Sequence, residues 1–244
     1  KMLEDHVRSQ EGVRIIDGSW AKEIKKTDGY FSVIAGDNEE FRAKAILLTT
    51  GSRRKKLNVP GEKELDGKGV AYCSTCDAPL FKNKVVAVVG GGNAGLEAVL
   101  DLMSYATKIS LLGHGEAFKG DPITMEKVKK SSKVEMITMA ETREIIGDKF
   151  VTGLRYEDLK TGNIKELIVG GVFVEIGAVP NSEIVEGLVE LNKYGEVVID
   201  HKTQATSLPG IWAAGDVSDV LYKQNNISVG DSVKAVLNIA NRVQ

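Results

Sequence analysis

The rhythm of apolar and polar positions changes several times along this chain, and each change predicts an element. "KMLEDHVRSQ" reads as the end of a helix. From Glu11 to Ser52 apolar and polar residues alternate between Gly, Asp and Asn turns. A period of two predicts short antiparallel strands, ending in a buried strand at Ala45–Thr49. "RRKKLNVPGEKELDGKG" is polar and rich in Gly and Pro, so it predicts a connection between units. "KVVAVVG", Lys84–Gly90, is an unbroken β-branched run, as expected of a parallel strand buried on both faces. Beyond it, Leu96, Val99, Leu100 and Met103 fall at i, i+3, i+4 and i+7, the spacing of one apolar helix face. "KISLLG", Lys108–Gly113, supplies the next strand and completes a βαβ unit. Further strands are expected near Glu135–Met139, Phe150–Tyr156, Leu167–Ile176, Val197–Asp200 and Ile211–Ala214. An amphipathic helix is expected over Ile227–Val243.

Composition narrows the class without naming a chemistry. The 244 residues are 42% hydrophobic and 27% charged, an ordinary globular balance that fits one large domain or two smaller ones. A formal net charge of −2 gives no footprint for nucleic acid, and "RRKK", Arg53–Lys56, reads as a solvated link. No apolar run approaches the roughly 18 residues of a membrane span. The chain opens on Lys1 without a signal-peptide pattern, and two cysteines do not make a secreted scaffold. The expected compartment is the cytoplasm, with neither membrane nor nucleic acid as partner.

At the end of the β-branched run stands "GGGNAG", which sets Gly90, Gly92 and Gly95 in G-x-G-x-x-G spacing with Asn93 and Ala94 between. The three glycines answer three physical demands, namely the sharp turn, the approach of a pyrophosphate, and close helix–strand packing. The first N–H groups of the helix then face the phosphates. A strand end that opens into a helix is the context this motif requires, so dinucleotide binding is expected. In such folds a carboxylate about 20 residues on holds the ribose, or basic residues hold a 2′-phosphate. Here Gly113, His114, Gly115, Glu116 and Lys119 occupy that region, and neither pattern is complete.

Both cysteines, Cys73 and Cys76, lie in "YCSTCDAP". A structural zinc needs four ligands, and the three histidines (His6, His114 and His201) are scattered, so no metal site is expected. A structural clip across two residues closes too small a loop to stabilise much. Redox exchange fits better. At a helix start i and i+3 share a face, and the helix end favours thiolate. Asp77 follows directly, either to shuttle the proton that exchange must move or only to cap the helix. A two-electron disulfide beside a nicotinamide-type loop calls for a flavin between them.

"YCSTCDAPLFKNKVVAVVGGGNAGLEA" closely resembles the low-molecular-weight thioredoxin reductases and the related flavoprotein subunit of alkyl hydroperoxide reductase. The likeness continues through "TTGSRRKKLNVPGE", "VFVEIGAVPNSEI", "GIWAAGDV" and "YKQ". It implies an α/β protein with two doubly wound dinucleotide-binding domains of the FAD/NAD(P) type. The FAD domain is expected to be discontinuous, over 1–53 and 179–244, and incomplete at its N-terminus, where the family's FAD glycine loop is missing. Residues 54–178 are the expected NAD(P)H domain carrying the CxxC. The resemblance makes Cys76 the flavin-side thiol, Cys73 the interchange thiol and Asp77 the acid–base residue. It assigns nucleotide contacts to the glycine loop, Glu97, His114, Lys119 and Gly177. Flavin contacts fall to Thr50, Gly51, Gly215, Asp216, Lys223, Gln224 and a helix starting near Gly230.

The resemblance implies FAD, NADH or NADPH, and a thioredoxin-like or glutaredoxin-like dithiol protein as partner, in a homodimer. Alternatives are the peroxide-reducing branch and a non-catalytic redox sensor. The sequence departs from the family at three places. The arginines that clamp a 2′-phosphate are replaced by Gly113, His114, Gly115 and Lys119, so a preference for NADPH below about tenfold is expected, one charged contact in size. Ala78 and Ser232 stand where glycine is usual. The truncated FAD cradle is expected to hold FAD weakly.

Overall fold

The computed structural model describes residues 2–36 and 38–243. Lys1, Asp37 and Gln244 lie outside the described residues. The chain divides into two compact units, Lys1–Arg53 with Val179–Gln244, and Arg54–Ala178.

The first unit opens with helix α1 (Met2–Arg8), which buries no residue and is tied to the following loop by a two-pronged ion pair of Arg8 with Asp17 at 2.7 and 2.9 Å. Strands β1 (Ala21–Lys26), β2 (Phe31–Ala35) and β3 (Glu39–Ala43) form the antiparallel meander that the alternation predicts. β4 (Ile46–Leu48) carries the chain inward, and β5 (Ser52–Arg54) leads toward the second unit.

The second unit begins its sheet with β6 (Val70–Ala71), then a single α-turn, α2 (Ser74–Asp77), that runs on as a 3₁₀ turn over Ala78–Phe81. Next come β7 (Val85–Val89), α3 (Asn93–Met103), β8 (Lys108–Leu112), α4 (Pro122–Lys130) and β9 (Val134–Ile137). A second meander, β10 (Ala140–Gly147), β11 (Val151–Asp158) and β12 (Asn163–Ile168), precedes β13 (Val172–Val174). The five parallel strands stand in the order β6-β13-β7-β8-β9. Strand periodicity explains why β7 is apolar throughout. Val86 and Val88 pack with Leu96, Val99 and Leu102 of α3, whereas Ala87 and Val89 pack with Ile145, Leu154 and Tyr156 of the meander. The sheet is therefore the middle of three layers, with helices on one face and the meander on the other.

The chain returns through β14 (Ala178–Pro180), paired with β5, to the first unit. There β15 (Ile211–Ala213) lies parallel to β4, with Ile46 opposite Ile211 and Leu48 opposite Ala213. Helix α5 (Asn225–Val243) ends the chain, starting two residues before the predicted position.

Three expectations need correcting. The single strand expected at Leu167–Ile176 is two strands in different sheets. Gly170 and Gly171 carry the chain across, and a side chain at Gly171 would overlap the Phe81 ring. Val197–Asp200 forms only isolated bridges, Val197 with Leu191 and Ser218, and Ile199 with Thr206. Its side chains are buried as a strand's are, but no continuous ladder neighbours it. Helix α4 is absent from the expected elements, although its signals are present. Asp121 accepts from the Thr124 N–H at 2.8 Å, and Pro122 occupies the first turn.

Candidate active site

The glycine loop sits where β7 turns into α3, and its three glycines answer to different neighbours. A Cβ at Gly90 would overlap the carbonyl of Glu175, and one at Gly95 would overlap the carbonyl of Gly90. Both are demanded by the protein's own packing. Gly92 is not: its backbone is extended (φ −110°), and the nearest atom to a Cβ there is the Lys119 carbonyl oxygen at 3.8 Å. The space in front of the helix start is open where a pyrophosphate would approach. Asn93 accepts from the Asp121 N–H at 2.8 Å, and Lys119 N–H donates to the Gly91 carbonyl at 2.8 Å. These bonds hold the segment after β8 beside the loop. Ala94 and Glu97 are exposed on α3.

A cavity of about 280 Å³ opens beside this loop, bounded by Gly90, Gly91, Lys56, His114, Glu141 and Thr142 among others. His114 Nε2 lies 2.8 Å from Glu141 Oε2. The Thr142 hydroxyl is buried without a hydrogen-bond partner among the described residues. Gly113 has a structural cause: a Cβ there would come within 2.8 Å of the Phe118 ring. Glu141 on β10, which the sequence alone did not reveal, lines this cavity with a carboxylate. Lys119 is exposed, and its backbone rather than its ammonium faces Gly92.

The cysteines form a disulfide, with their Cα atoms 5.4 Å apart. Cys73 caps α2, its sulfur accepting from the Cys76 N–H at 3.3 Å. The turn between them is pinned twice. Asp101 on α3 accepts from the Ser74 hydroxyl at 2.8 Å and the Thr75 hydroxyl at 3.2 Å, and Glu175, just beyond β13, accepts from the Ser74 N–H at 3.3 Å. Cys76 is exposed and Cys73 half-buried. The helix here is one turn long, so its dipole acts on the thiols less than the sequence suggests. Asp77 makes no side-chain capping bond, and burial pushes its carboxyl above the usual range. Of its two sequence-based roles, capping loses its support.

Glu175 is 8% exposed, and its carboxyl is pushed up to about 7. Burial is the main cause, with Asp101 and Glu97 acting in the same direction and Arg54 and the Ser74 N–H opposing. Its backbone N–H donates to the Val89 carbonyl at 2.8 Å, its carbonyl abuts Gly90, and its side chain holds Ser74. One residue thus touches both the glycine loop and the cysteine turn. Sequence reasoning missed it, and a charged residue inside the apolar "VFVEIG" was the available signal. Gly177 follows with φ +98°, its carbonyl accepting from the Lys55 N–H at 3.0 Å.

In the first unit the expected flavin residues gather after two adjacent parallel strands. Thr50 and Gly51 follow β4, and Gly215 and Asp216 follow β15, at the carboxyl ends where such sheets take ligands. Asp216 is half-buried and accepts from the Ser52 hydroxyl at 3.4 Å, its one side-chain partner among the described residues. Thr50 is locked to Asn181 by two bonds of 2.6 and 2.8 Å. Lys223 pairs with Glu196 at 2.9 Å and also meets the Ser218 carbonyl. Gln224 is exposed at the start of α5. That helix starts at Asn225, so Gly230 lies in its second turn and not at its positive end, and the Ser232 hydroxyl is taken up by the Ser228 carbonyl at 2.8 Å. Asp216 at a strand end, with one long side-chain contact, is a candidate for a ligand hydroxyl, and the open approach at Gly92 suits a dinucleotide pyrophosphate.

Comparison with known proteins agrees with this geometry. Residues 3–233 match the family described as pyridine nucleotide-disulphide oxidoreductase. The F subunit of alkyl hydroperoxide reductase from Staphylococcus epidermidis is 42% identical over 236 residues, covering 97% of this chain and 46% of that protein. The chain thus spans about half the length of the curated relatives it matches. Among solved structures, thioredoxin reductase from Giardia duodenalis aligns with a TM-score of 0.85 at 32% identity, covering 91% of this chain and 74% of that one. Thioredoxin reductase from Streptococcus pyogenes aligns with a TM-score of 0.84 at 29% identity, covering 92% and 73%. These relatives imply the use of FAD and NAD(P)H. A glycine loop with one vacant approach, a disulfide braced against it and a match along nearly the whole chain place this protein in the pyridine nucleotide-disulphide oxidoreductase family, among flavoprotein oxidoreductases of the thioredoxin reductase and alkyl hydroperoxide reductase F type.

Proposed function

We propose that this protein carries electrons from a nicotinamide dinucleotide to the Cys73–Cys76 disulfide and on to a small dithiol protein of the thioredoxin type. The supporting observation is the shared brace: Glu175 holds Ser74 between the cysteines and abuts Gly90 of the glycine loop. In this reading the second unit binds the nicotinamide donor, and the first holds FAD through Thr50, Gly51, Gly215, Asp216, Lys223 and Gln224. FAD, when bound, converts a hydride into the electron pair a disulfide accepts. Cys73 then attacks the acceptor's disulfide, Cys76 resolves the mixed disulfide, and Asp77 moves the proton. Burial raises the Asp77 carboxyl above its usual range, the direction that helps it to hold a proton it can give back.

The 42% identity to the F subunit of alkyl hydroperoxide reductase favours a second acceptor, a thioredoxin-like module serving a peroxide-reducing protein. The deciding experiment supplies NADH to the flavin-loaded protein and counts free thiols, then adds a thioredoxin or a peroxiredoxin system. Two new thiols per chain and rapid drainage by one acceptor are expected. Reduction of bound flavin with no new thiols would leave only the sensor reading.

The donor follows from the cavity. A carboxylate beside a ribose 2′-oxygen hydrogen-bonds a hydroxyl and repels a phosphate. Glu141, held by His114, is the carboxylate on the glycine-loop cavity, and no arginine lies between Lys108 and Gly120. NADH is expected to be preferred over NADPH by kcat/KM. Glu141→Gln should narrow the preference about tenfold, one charged contact. A native preference for NADPH of a hundredfold or more would show that Glu141 faces away from the 2′ position.

A further inference from the structure

The redox pair is braced by a carboxylate whose charge the proposed electron path does not use. Glu175 is 8% exposed, and its side chain ends on the Ser74 N–H, one residue from Cys73 and two from Cys76. Holding a backbone N–H does not require a charge, since an amide oxygen accepts the same bond. Burying an ionisable carboxyl where an amide would serve is costly, so the charge itself calls for an explanation.

We propose that Glu175 is a positioning residue of the Cys73–Cys76 pair that ties its redox equilibrium to pH: ionised, it disfavours the thiolate of the opened pair, and protonated, it does not.

Opening the disulfide breaks one S–S bond and places two electrons on two sulfurs. Each sulfur then takes a proton or remains a thiolate. A neutral disulfide has no charge for Glu175 to act on, but a thiolate on either side of the Ser74 turn that Glu175 holds has, and the repulsion acts on both groups. The carboxyl and the thiol therefore titrate as a coupled pair, each raising the other's proton affinity. The charges acting on Glu175 come from two elements. Glu97 and Asp101 on α3 reinforce its negative field, and Arg54, on the strand entering the unit, opposes it. Asp77 lies on α2 with the cysteines, and the glycine loop brings no ionisable side chain. A carboxyl pushed up to about 7 changes its charge within the range in which a thiol pair works. The consequence is a pair that stays a protonated dithiol as pH rises, losing protons to idle thiolate later than it otherwise would.

Glu175→Gln keeps an acceptor for Ser74 and removes the charge, so it separates the two roles. The measurement is the equilibrium constant for reduction of the Cys73–Cys76 disulfide by a reference dithiol couple, in the native chain and in the variant, at pH 6, 7.5 and 9. The ultraviolet absorbance of thiolate in the reduced proteins is titrated alongside. At pH 6 the native carboxyl is largely protonated and resembles glutamine, so the two constants should agree within about twofold. At pH 9 the variant should be easier to reduce by about tenfold, the effect of one removed charge. Its thiolate titration should finish at lower pH than the native one. A variant-to-native ratio that is constant across pH would overturn the proposal and leave Glu175 as a structural brace. This inference rests on reading Cys73–Cys76 as the redox pair, and the same data test that reading separately: if the native disulfide did not equilibrate reversibly with the reference couple, the functional proposal would fail first. Should the variant unfold at pH 9, Glu175→Asp at intermediate pH restores a titrating carboxyl and should recover the native slope. Failure of that recovery would count against the proposal.

Discussion

A Gly92→Asp chain is expected to keep the native melting temperature and lose at least about a hundredfold in affinity for NADH, whereas Gly95→Ala should do the reverse. The loop's glycines look equivalent in sequence, and only their neighbours distinguish them. Gly92 caps α3 with an extended backbone, and aspartate is among the favoured residues at such a position. Nothing lies closer than 3.8 Å to a Cβ there, so the fold accepts the side chain. The pyrophosphate does not, because it meets both an occupied approach and a like charge at the helix start. A hundredfold corresponds to about 2.7 kcal/mol, within reach of one close repulsion in a partly desolvated site. At Gly95 even a methyl group overlaps the Gly90 carbonyl, so helix and strand must separate. Overpacking against backbone costs about 1–3 kcal/mol, visible as a lower melting temperature. Thermal unfolding and NADH titration of both variants check the pair. Native affinity in Gly92→Asp would remove the glycine loop from the nucleotide site.

What could be read from sequence here was whatever depends on neighbours along the chain. β7, α3 and β8 were legible because an unbroken β-branched run, a helical stripe and a glycine turn each declare themselves locally. The break at Gly170–Gly171 was not, because apolar residues on both sides satisfied one strand as well as two. Only the Phe81 ring and the change of sheet partner forbid continuity. Residues 197–200 show the opposite limit: their alternation is that of a strand, but strand identity needs a neighbour to pair with, and the chain offers only single bridges. The site divides in the same way. Cys73, Cys76 and Gly90–Gly95 were found through spacing. Glu141, 27 residues beyond its partner His114, and Glu175, 85 residues beyond the Gly90 it abuts, were missed because they reach the site from distant parts of the chain, and no periodicity links such positions. Gly113 carries a related lesson. Its lack of a side chain reads in sequence as a lost ligand, but the Phe118 ring already fills that place.

The largest effect is expected at Cys76. In the flavin-loaded protein, Cys76→Ser should leave the bleaching of bound flavin by NADH within about twofold of native. Turnover with a dithiol acceptor should fall more than about a thousandfold, roughly 4 kcal/mol of barrier. Donor binding depends on the glycine loop and its cavity, where Cys76 has no part. Electron exit needs both sulfurs, since a disulfide stores two electrons only when both partners exist. The remaining thiol sharpens the test. Cys73 keeps its place at the cap of α2 beside Ser74 and Glu175, and can still attack an acceptor disulfide. That attack forms a Cys73–acceptor bond and releases one acceptor thiol, and the sulfur that would break the new bond is gone. A stable mixed disulfide between the variant and its acceptor should therefore accumulate, visible by mass spectrometry and cleared by external dithiol. In Cys73→Ser the remaining Cys76, the resolving thiol in this reading, should trap far less acceptor. Equal trapping by both variants would reverse or merge the two roles, and native turnover in Cys76→Ser would mean that electrons leave by a path that bypasses this disulfide.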